Sequence, residues 1–310
     1  MLHVSPKISI GLPIHNGSTL YNNIPLIRQR LDSILSQTFT DFELIISDNA
    51  STDSTPEICQ EYAKKDKRIK YFRQEIIMDF IPHFKSVLEK TNCEYFIFCD
   101  HEDRWEPTFL EKNLDILETN KKFIASFSRT SRIGPGCNNI FKIDSHDTLI
   151  KKYYKKIRLF FRKQNKMCSI TGSYDKKIRT CLHQFHATYF MYSVFRTKIL
   201  KKATQTDGPS WDWVVLLKSL QYGDINLIDE VLYSRYIRNT ANLTNTYTKD
   251  KISLSNLFFH GLPFTTWFYR YFGVFLFLKN LDYFVILNLS FISIIFVIIF
   301  QKFQKYSFWK

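Results

Sequence analysis

The sequence predicts an α/β fold with a mostly parallel central sheet and helices on both faces. Three observations predict it. Short apolar runs alternate with stretches of helical spacing through about the first 130 residues. Three of those runs end in polar loops, which sets the loops along one edge of a parallel sheet. The last loop, Asp100-His101-Glu102-Asp103-Arg104-Trp105, follows the buried-strand run Tyr95-Phe96-Ile97-Phe98 and is too charged for a core.

Lys7–Leu12 reads as the first strand and Pro13–Thr19 as the polar loop leaving it. Leu20–Gln37 carries Ile24, Ile27, Leu31, Ile34 and Leu35 at helical spacing, so one helix is expected there. Phe42–Ser47 is a strand ending at Asp48. Ser54–Lys64 is a helix, with Ser54 or Thr55 to cap it, Pro56 in its first turn and Glu57 beside it. Ile69–Phe72 is a third strand and Ile81–Glu89 a helix. Then come the strand before the acidic turn, a helix over Pro107–Glu118, and a strand over Phe123–Ser128. Beyond Arg132 the pattern loosens. Gly134-Pro135-Gly136 is a turn, Trp211–Tyr222 a helix stopped by Gly223, and Ile225–Tyr236 an extended run.

Net charge is +14, with 45% hydrophobic and 16% aromatic residues. A large core is possible, and the basic balance points to an anionic partner: a phosphorylated ligand, an anionic membrane or nucleic acid. No nucleic-acid-binding motif is present, and none of that function is expected. Lys151–Arg179 interleaves basic residues with Tyr153, Tyr154, Ile157, Leu159, Phe160 and Phe161. That run reads either as a membrane-surface element or as a basic helix packing its aromatics on the core. The six cysteines lack Cys-x-x-Cys spacing and read as reduced structural thiols, without structural zinc. His183 and His186 share a helical face but are not read as metal ligands.

Met1–Lys7 leads straight into a strand, so no signal peptide is expected. Phe284–Phe300 is uncharged and almost wholly apolar, and Lys302, Lys305, Tyr306, Trp309 and Lys310 follow it. A transmembrane helix over about 281–301 is expected, with a buried C-terminal helix as the alternative. Leu262–Leu278, with Trp267, Tyr269 and Tyr271, reads as interfacial or as a second hydrophobic arm. The domain expectation is a catalytic unit over 1–245, divided near residue 130, followed by a membrane-associated segment over 246–310. The basic flank favours a cytoplasmic catalytic face.

Three loops carry the candidate chemistry: Pro13-Ile14-His15-Asn16-Gly17, Asp48-Asn49-Ala50-Ser51-Thr52-Asp53, and the acidic turn. Along one sheet edge they would line one cleft. Asp48 ends its strand and can accept a base N–H or a ribose hydroxyl. Asp100, Glu102 and Asp103 repel one another unless a cation lies between them. A hard divalent cation that also holds phosphate is one solution, and an acidic cap on the next helix is the other.

At these residues the sequence resembles the family-2 glycosyltransferases of the GT-A fold. The resemblance rests on the run Ile34-Leu35-Ser36-Gln37-Thr38-Phe39-Thr40-Asp41-Phe42-Glu43-Leu44-Ile45-Ile46-Ser47-Asp48-Asn49-Ala50-Ser51-Thr52-Asp53-Ser54-Thr55 and on the acidic turn, which is similar to the family's Asp-x-Asp metal motif with its following acid and Trp105. It is close over residues 7–130 and loose to about 240. It implies nucleotide-sugar binding by Pro13, His15, Asn16, Asp48, Asn49 and Asp100, with Arg73 as a phosphate contact. It implies a divalent metal, Mg²⁺ or Mn²⁺, on Asp100 and Glu102. His15 stands where a tyrosine is common, Asn49 where a second aspartate is common, and Glu102 where the second Asp of the motif is expected.

The family also implies a late catalytic carboxylate at a helix start. Ser210-Trp211-Asp212-Trp213 matches there, with Trp211 in place of the acid that often precedes it. Transfer to a hydroxyl needs a base within hydrogen-bond reach, and flanking indoles would desolvate a carboxylate and raise its pKa. Asp212 is therefore the candidate base, Asp207 its rival, and a helix cap the plainer role. Asp103, Trp105, Arg196 and Trp211 are candidates for the acceptor side. The resemblance implies an inverting, metal-dependent transferase. It would take a nucleoside diphosphate sugar as donor and a saccharide or lipid-linked saccharide at a membrane as acceptor. A catalytically silent sugar-nucleotide binder and a basic membrane or nucleic-acid adaptor are the other classes.

Overall fold

A computed structural model describes residues 5–137, 166–184, 187–238, 261–285 and 287–288. In chain order the elements begin with β1 (Ile8–Ile14), the short strands β2 (Leu20–Tyr21) and β3 (Ile24–Pro25), α1 (Leu26–Leu35) and β4 (Phe42–Asp48). Next are α2 (Thr55–Lys65), β5 (Ile69–Arg73), α3 (Phe80–Glu89), β6 (Tyr95–Phe98), β7 (Arg104–Trp105), α4 (Phe109–Thr119) and β8 (Phe123–Ile133). The later part holds α5 (Tyr174–His183), a 3₁₀ turn (Ala187–Tyr192), β9 (Val194–Arg196), α6 (Thr197–Ala203), α7 (Trp211–Ser219), β10 (Asp224–Tyr236) and α8 (Gly261–Lys279).

Eight strands form one sheet in the order β5-β4-β1-β6-β9-β8-β10-β7. β5, β4, β1 and β6 are mutually parallel, and β8 is parallel to β10. β9 lies antiparallel between β6 and β8, and β7 antiparallel to β10. The predicted α/β architecture is therefore present as a mixed, largely parallel sheet. Every residue of β1, β4 and β6 is buried. This is the signature of strands covered by helices on both faces.

The expected helix over Leu20–Gln37 is shorter than its periodicity suggests. Asn22 and Asn23 have φ of 53° and 61°, making a two-residue turn between β2 and β3. Two successive left-handed residues suit the twist of a hairpin, and asparagine tolerates that region. Leu20 and Ile24 are consequently exposed, and α1 starts only after Pro25.

The C-terminal segment also departs from expectation. Among the described residues no helix is long and apolar enough to cross a membrane. α8 is broken at Gly273, whose φ of 81° leaves the helical region. Phe264, Phe268 and Phe284 are buried in the same core as the sheet, and Phe284 packs on the rings of Phe264, Phe268 and Phe277. Asp282, the charge preceding the apolar run, is held by Arg179 and His183 of α5. The start of the expected membrane helix is thus tied to the domain rather than separate from it. Residues 289–310 lie outside the described residues, as do His186 and 138–165, which include most of the basic aromatic run. The six cysteines are free thiols, and Cys59, Cys93, Cys99 and Cys181 are buried.

Candidate active site

Ile14 and Asp48 are register partners, so the loops after β1 and β4 leave the sheet side by side. Their polar groups then stitch them together. Asn16 N–H donates to Ser51 Oγ at 2.9 Å, and Thr52 N–H to Asn16 Oδ1 at 2.9 Å. Gly17 N–H donates to Thr55 Oγ1 at 2.8 Å. Ser18 gives both its N–H and its hydroxyl to Asp53 Oδ2, at 3.0 and 2.6 Å. Burial opposes ionisation of Asp53, but these hydrogen bonds and those from Thr55 outweigh it and hold the carboxyl down at about 2.

His15 Nδ1 lies 2.8 Å from Asn49 O. A carbonyl only accepts, so Nδ1 carries the proton and Nε2 accepts from Asn16 Nδ2 at 3.1 Å. His15 remains exposed. Pro13 sits inside β1, where a missing N–H would normally break pairing. The place tolerates it because β6 ends at Phe98, opposite Gly11, and no longer runs alongside.

The other candidates in this region are committed to the chain itself. Asp48 is fully buried, with Oδ1 accepting Ser51 N–H and Oδ2 accepting the Tyr71 hydroxyl at 2.7 Å. Asn49 pairs both ends of its amide with the backbone of Met78, at 2.8 and 2.9 Å. Arg73 donates to Ser51 O at 2.8 Å. Asn49, with both ends of its amide engaged, is thereby a loop brace, whereas the exposed Arg73 spends only one of its donors on the same loop.

The acidic turn is balanced differently. Asp103 is 2% exposed. It accepts the Tyr233 hydroxyl at 2.8 Å and Tyr236 N–H at 2.9 Å, and Arg235 lies 3.7 Å away. Burial and the neighbouring Asp100 push its carboxyl up. Arg30 donates to Asp103 O and stacks 3.9 Å over the ring of Trp105, which stacks in turn on Phe109. Asp103 and Trp105 are a buried joint between the turn, α1 and β10, and neither is an acceptor contact. Glu102 forms an ion pair with Arg238. For Glu102 and Asp103 the counter-charge is therefore supplied by arginines at the end of β10.

His101 lies between the two outer carboxylates, with Nδ1 3.3 Å from Asp100 Oδ1 and Nε2 3.5 Å from Glu102 Oε1. Burial pushes its pKa down, so the imidazole is neutral and these spacings are not ion pairs. Its Nε2 is buried without a hydrogen-bond partner. Among the described residues no group of three or more His, Cys, Asp or Glu is arranged to hold a metal ion. Asp100 fits a metal that takes its other ligands from a bound phosphate: it is about one-third exposed, and its contacts fall on Oδ1 alone. Glu102, turned to Arg238 with an imidazole between it and Asp100, does not fit as the second ligand.

Asp212 sits in the first turn of α7, where Oδ1 accepts Trp213 N–H at 2.9 Å. It is not the cap; that position belongs to Ser210, strained at φ 56°. Burial pushes the Asp212 carboxyl above the ordinary Asp range. Trp211 packs edge-on against Phe80 and Phe84, and Phe84 lies 5.2 Å from Phe98, the last residue of β6. This aromatic ladder brings the start of α7 to the acidic turn. Tyr192, whose hydroxyl is pushed up first by burial and next by Asp100, also feels Asp212. Asp100 and Asp212 therefore act on one tyrosine.

Two expectations fall elsewhere. Arg196 donates to Phe123 O at the start of β8 and to Leu117 O near the end of α4, and lies near the hydroxyl of Tyr95 at the start of β6. It clamps the opposite edge of the sheet and cannot reach an acceptor at the loops. Asp207, the rival base, is an exposed partner of Lys85 at 2.6 Å. Sequence reasoning did not single out His101 as a spacer, Asp53 as a staple, or Tyr192, Arg235 and Arg238. For Arg235 the alternation Tyr233-Ser234-Arg235-Tyr236 was a usable signal of one strand face; for Arg238 there was none.

A profile of the family described as Glycosyl transferase family 2 matches residues 17–202. TuaG of Bacillus subtilis strain 168, named as a teichuronic acid biosynthesis glycosyltransferase, is 34% identical over 117 residues, 38% of this chain and 44% of TuaG. The chain thus spans less than half the length of that relative. MJ1057 of Methanocaldococcus jannaschii, named as an uncharacterized glycosyltransferase, is 23% identical over 252 residues, 80% of this chain and 76% of that protein. Among solved structures, S. aureus TarS 1-349 in complex with UDP-GlcNAc gives a TM-score of 0.52 at 17% identity, covering 83% of this chain and 66% of that one. The mannosyltransferase PcManGT from Pyrobaculum calidifontis, in complex with GDP-Man and Mn²⁺, gives 0.51 at 14% identity, covering 84% and 64%. At these identities the structural likeness concerns the fold.

Proposed function

The chain belongs to glycosyl transferase family 2, and from that premise we propose that it is an inverting transferase with Asp212 as its general base. The acceptor hydroxyl gives its proton to the Asp212 carboxylate while its oxygen forms a bond to the anomeric carbon of the donor sugar. The bond from that carbon to the diphosphate oxygen breaks with inversion, and the nucleoside diphosphate leaves with the electron pair. The observation carrying this reading is that Asp212, its pKa raised by burial, follows Trp211, which packs through Phe84 to Phe98 at the base of the acidic turn. A carboxylate poised this way accepts a proton better than an exposed one.

His15 and Asn16 line the nucleoside side of the cleft, and buried Asp48 braces the loop beneath them through Ser51 and Tyr71. A divalent metal, when bound at Asp100 and the donor diphosphate, supplies neutralisation of charge on the departing group. The relatives' printed ligands, UDP-GlcNAc and GDP-Man with Mn²⁺, support a nucleotide-sugar donor. The name of TuaG supports a saccharide acceptor in polysaccharide assembly. A lipid-linked acceptor at a membrane, with the catalytic loops on the cytoplasmic side, fits the apolar C-terminal sequence. Exposed Val274, Phe275, Leu278 and Leu281 fit it too. Detergent-free recovery of the full chain in the soluble fraction would refute that membrane placement.

The test is thermal-shift screening of the full chain against UDP-, GDP-, dTDP- and CDP-linked sugars, with and without Mn²⁺, followed by assay of nucleoside diphosphate release. One donor is expected to stabilise the protein with metal, by mass action. Asp212→Asn is expected to keep that shift and lose turnover. A donor that binds but is never turned over by the wild type would favour a silent nucleotide-sugar binder.

A further inference from the structure

We propose that Arg238 binds the donor diphosphate and that Glu102 positions this arginine instead of ligating a metal. The proposal rests on the reading above, in which the acidic turn faces a nucleoside diphosphate.

Four features place the guanidinium. β8 and β10 pair in parallel up to Ile133 and Tyr236, and Ile237 N–H extends the ladder to Ile133 O at 2.7 Å. The Gly134-Pro135-Gly136 turn then closes over this strand end, with Gly136 N–H donating to Ile237 O at 2.9 Å. Side chains are excluded there. A Cβ on Gly136 would lie 2.1 Å from Arg238 O, and Gly134 has φ of 99°. Arg238 therefore leaves a fixed backbone, and its Nη2 meets Glu102 Oε1.

The pair is asymmetric in exposure: the Glu102 side chain is 13% exposed and that of Arg238 is 55% exposed. Glu102 is thus the buried anchor and Arg238 the presented group. A guanidinium has five donors in a planar fork, and one contact to Glu102 leaves most of them for phosphate oxygens. On the other side of His101, Asp100 keeps its lone pairs for a cation. The two carboxylates of the turn are thereby divided between two positive charges, a protein cation at Glu102 and a metal position at Asp100. A diphosphate lying across the turn would meet both.

The test measures binding of UDP, GDP, dTDP and CDP, and of the matching monophosphates, to the full chain by calorimetry, together with Mn²⁺ uptake followed by its EPR signal. For the diphosphate that binds the wild type, Arg238→Gln is expected to weaken affinity about ten- to a hundredfold, the scale of a lost charge-assisted contact. Affinity for the monophosphate should stay within about twofold, and Arg238→Lys should recover part of the loss. Glu102→Gln should leave Mn²⁺ uptake near wild type, whereas Asp100→Asn should abolish it. A purely structural pair would not separate diphosphate from monophosphate. Unchanged diphosphate affinity in Arg238→Gln overturns the proposal alone. So does loss of Mn²⁺ in Glu102→Gln as complete as in Asp100→Asn. A wild type that binds none of the diphosphates overturns both this proposal and the donor reading.

Discussion

The loop after β4 and the turn after β6 are built from similar residues, yet their charges are satisfied in opposite ways. Asp48 and Asp53 find their donors in Ser18, Ser51, Thr55 and Tyr71, all on the adjoining strands and loops. Asp103 and Glu102 find theirs in Tyr233, Tyr236, Arg235 and Arg238, more than a hundred residues away. The first region is a scaffold that closes on itself. The second depends on the whole sheet, because its counter-charges arrive only when β10 has docked. What this teaches is where function can sit. Carboxylates whose lone pairs are consumed hold the fold, and those left with spare capacity, Asp100 and Asp212, are available for chemistry.

Asp212 gives the largest expected effect and sharpens that division. Asp212→Asn should lower kcat about 10²- to 10⁴-fold, the usual contribution of a positioned base, with donor affinity kept. The folded-state pKa of Asp212 lies above its unfolded value. Its ionised form therefore costs stability, a cost that grows as pH rises from the unfolded pKa through the folded one. The Asn variant should then melt at or above the wild-type temperature at neutral pH. The acid limb of the kcat/KM profile, expected above the ordinary Asp range, should disappear with it. A lower Tm would move Asp212 into the fold-holding class.

Asp103 tests the other side. Asp103→Ala leaves the Tyr233 hydroxyl and Tyr236 N–H without their shared acceptor and Arg235 without its nearby counter-ion, at a cost of about 3–5 kcal/mol in denaturant unfolding. Loss of less than about 1 kcal/mol would mean that β10 does not need the acidic turn.

Asp53 probes the self-closing region. Its folded-state pKa of about 2 lies below the unfolded value. The stability it adds is complete above pH 4 or so and is lost as pH falls toward about 2. Asp53→Asn should therefore lower stability at neutral pH and flatten the acid limb of the stability curve in that window. Smallest of all, Asp207→Ala removes an exposed pair with Lys85, so activity should hold and stability should change by less than about 1 kcal/mol. A large loss of kcat there would reinstate Asp207 as the base.

Much of the site was legible in the sequence because it depends on local order. Strand ends and the loops after them are marked by the switch from apolar runs to polar ones, and β1, β4 and β6 end where that switch occurs. Asp48 and Asp100 were singled out by their place after strands, and Asp212 by the family resemblance. The misreadings share one cause. The hairpin at Asn22 and Asn23 hid beneath apolar residues that happened to match helical spacing. Asn49, Asp103, Trp105 and Arg196 carry residue types that suit a site, and only their partners show that they brace the chain.

The sequence by itself determined the alternation of strands and helices, the three loops on one edge, and the identity of the carboxylates there. These follow from periodicity and from the geometry of parallel strands. Tertiary structure alone decided which carboxylates stay available. That outcome depends on β9 inserting antiparallel between β6 and β8 and on β10 delivering Arg235 and Arg238 to the acidic turn. Pairing across more than a hundred residues leaves no local mark, because a charge is spent or spared only by the partner the finished fold brings to it.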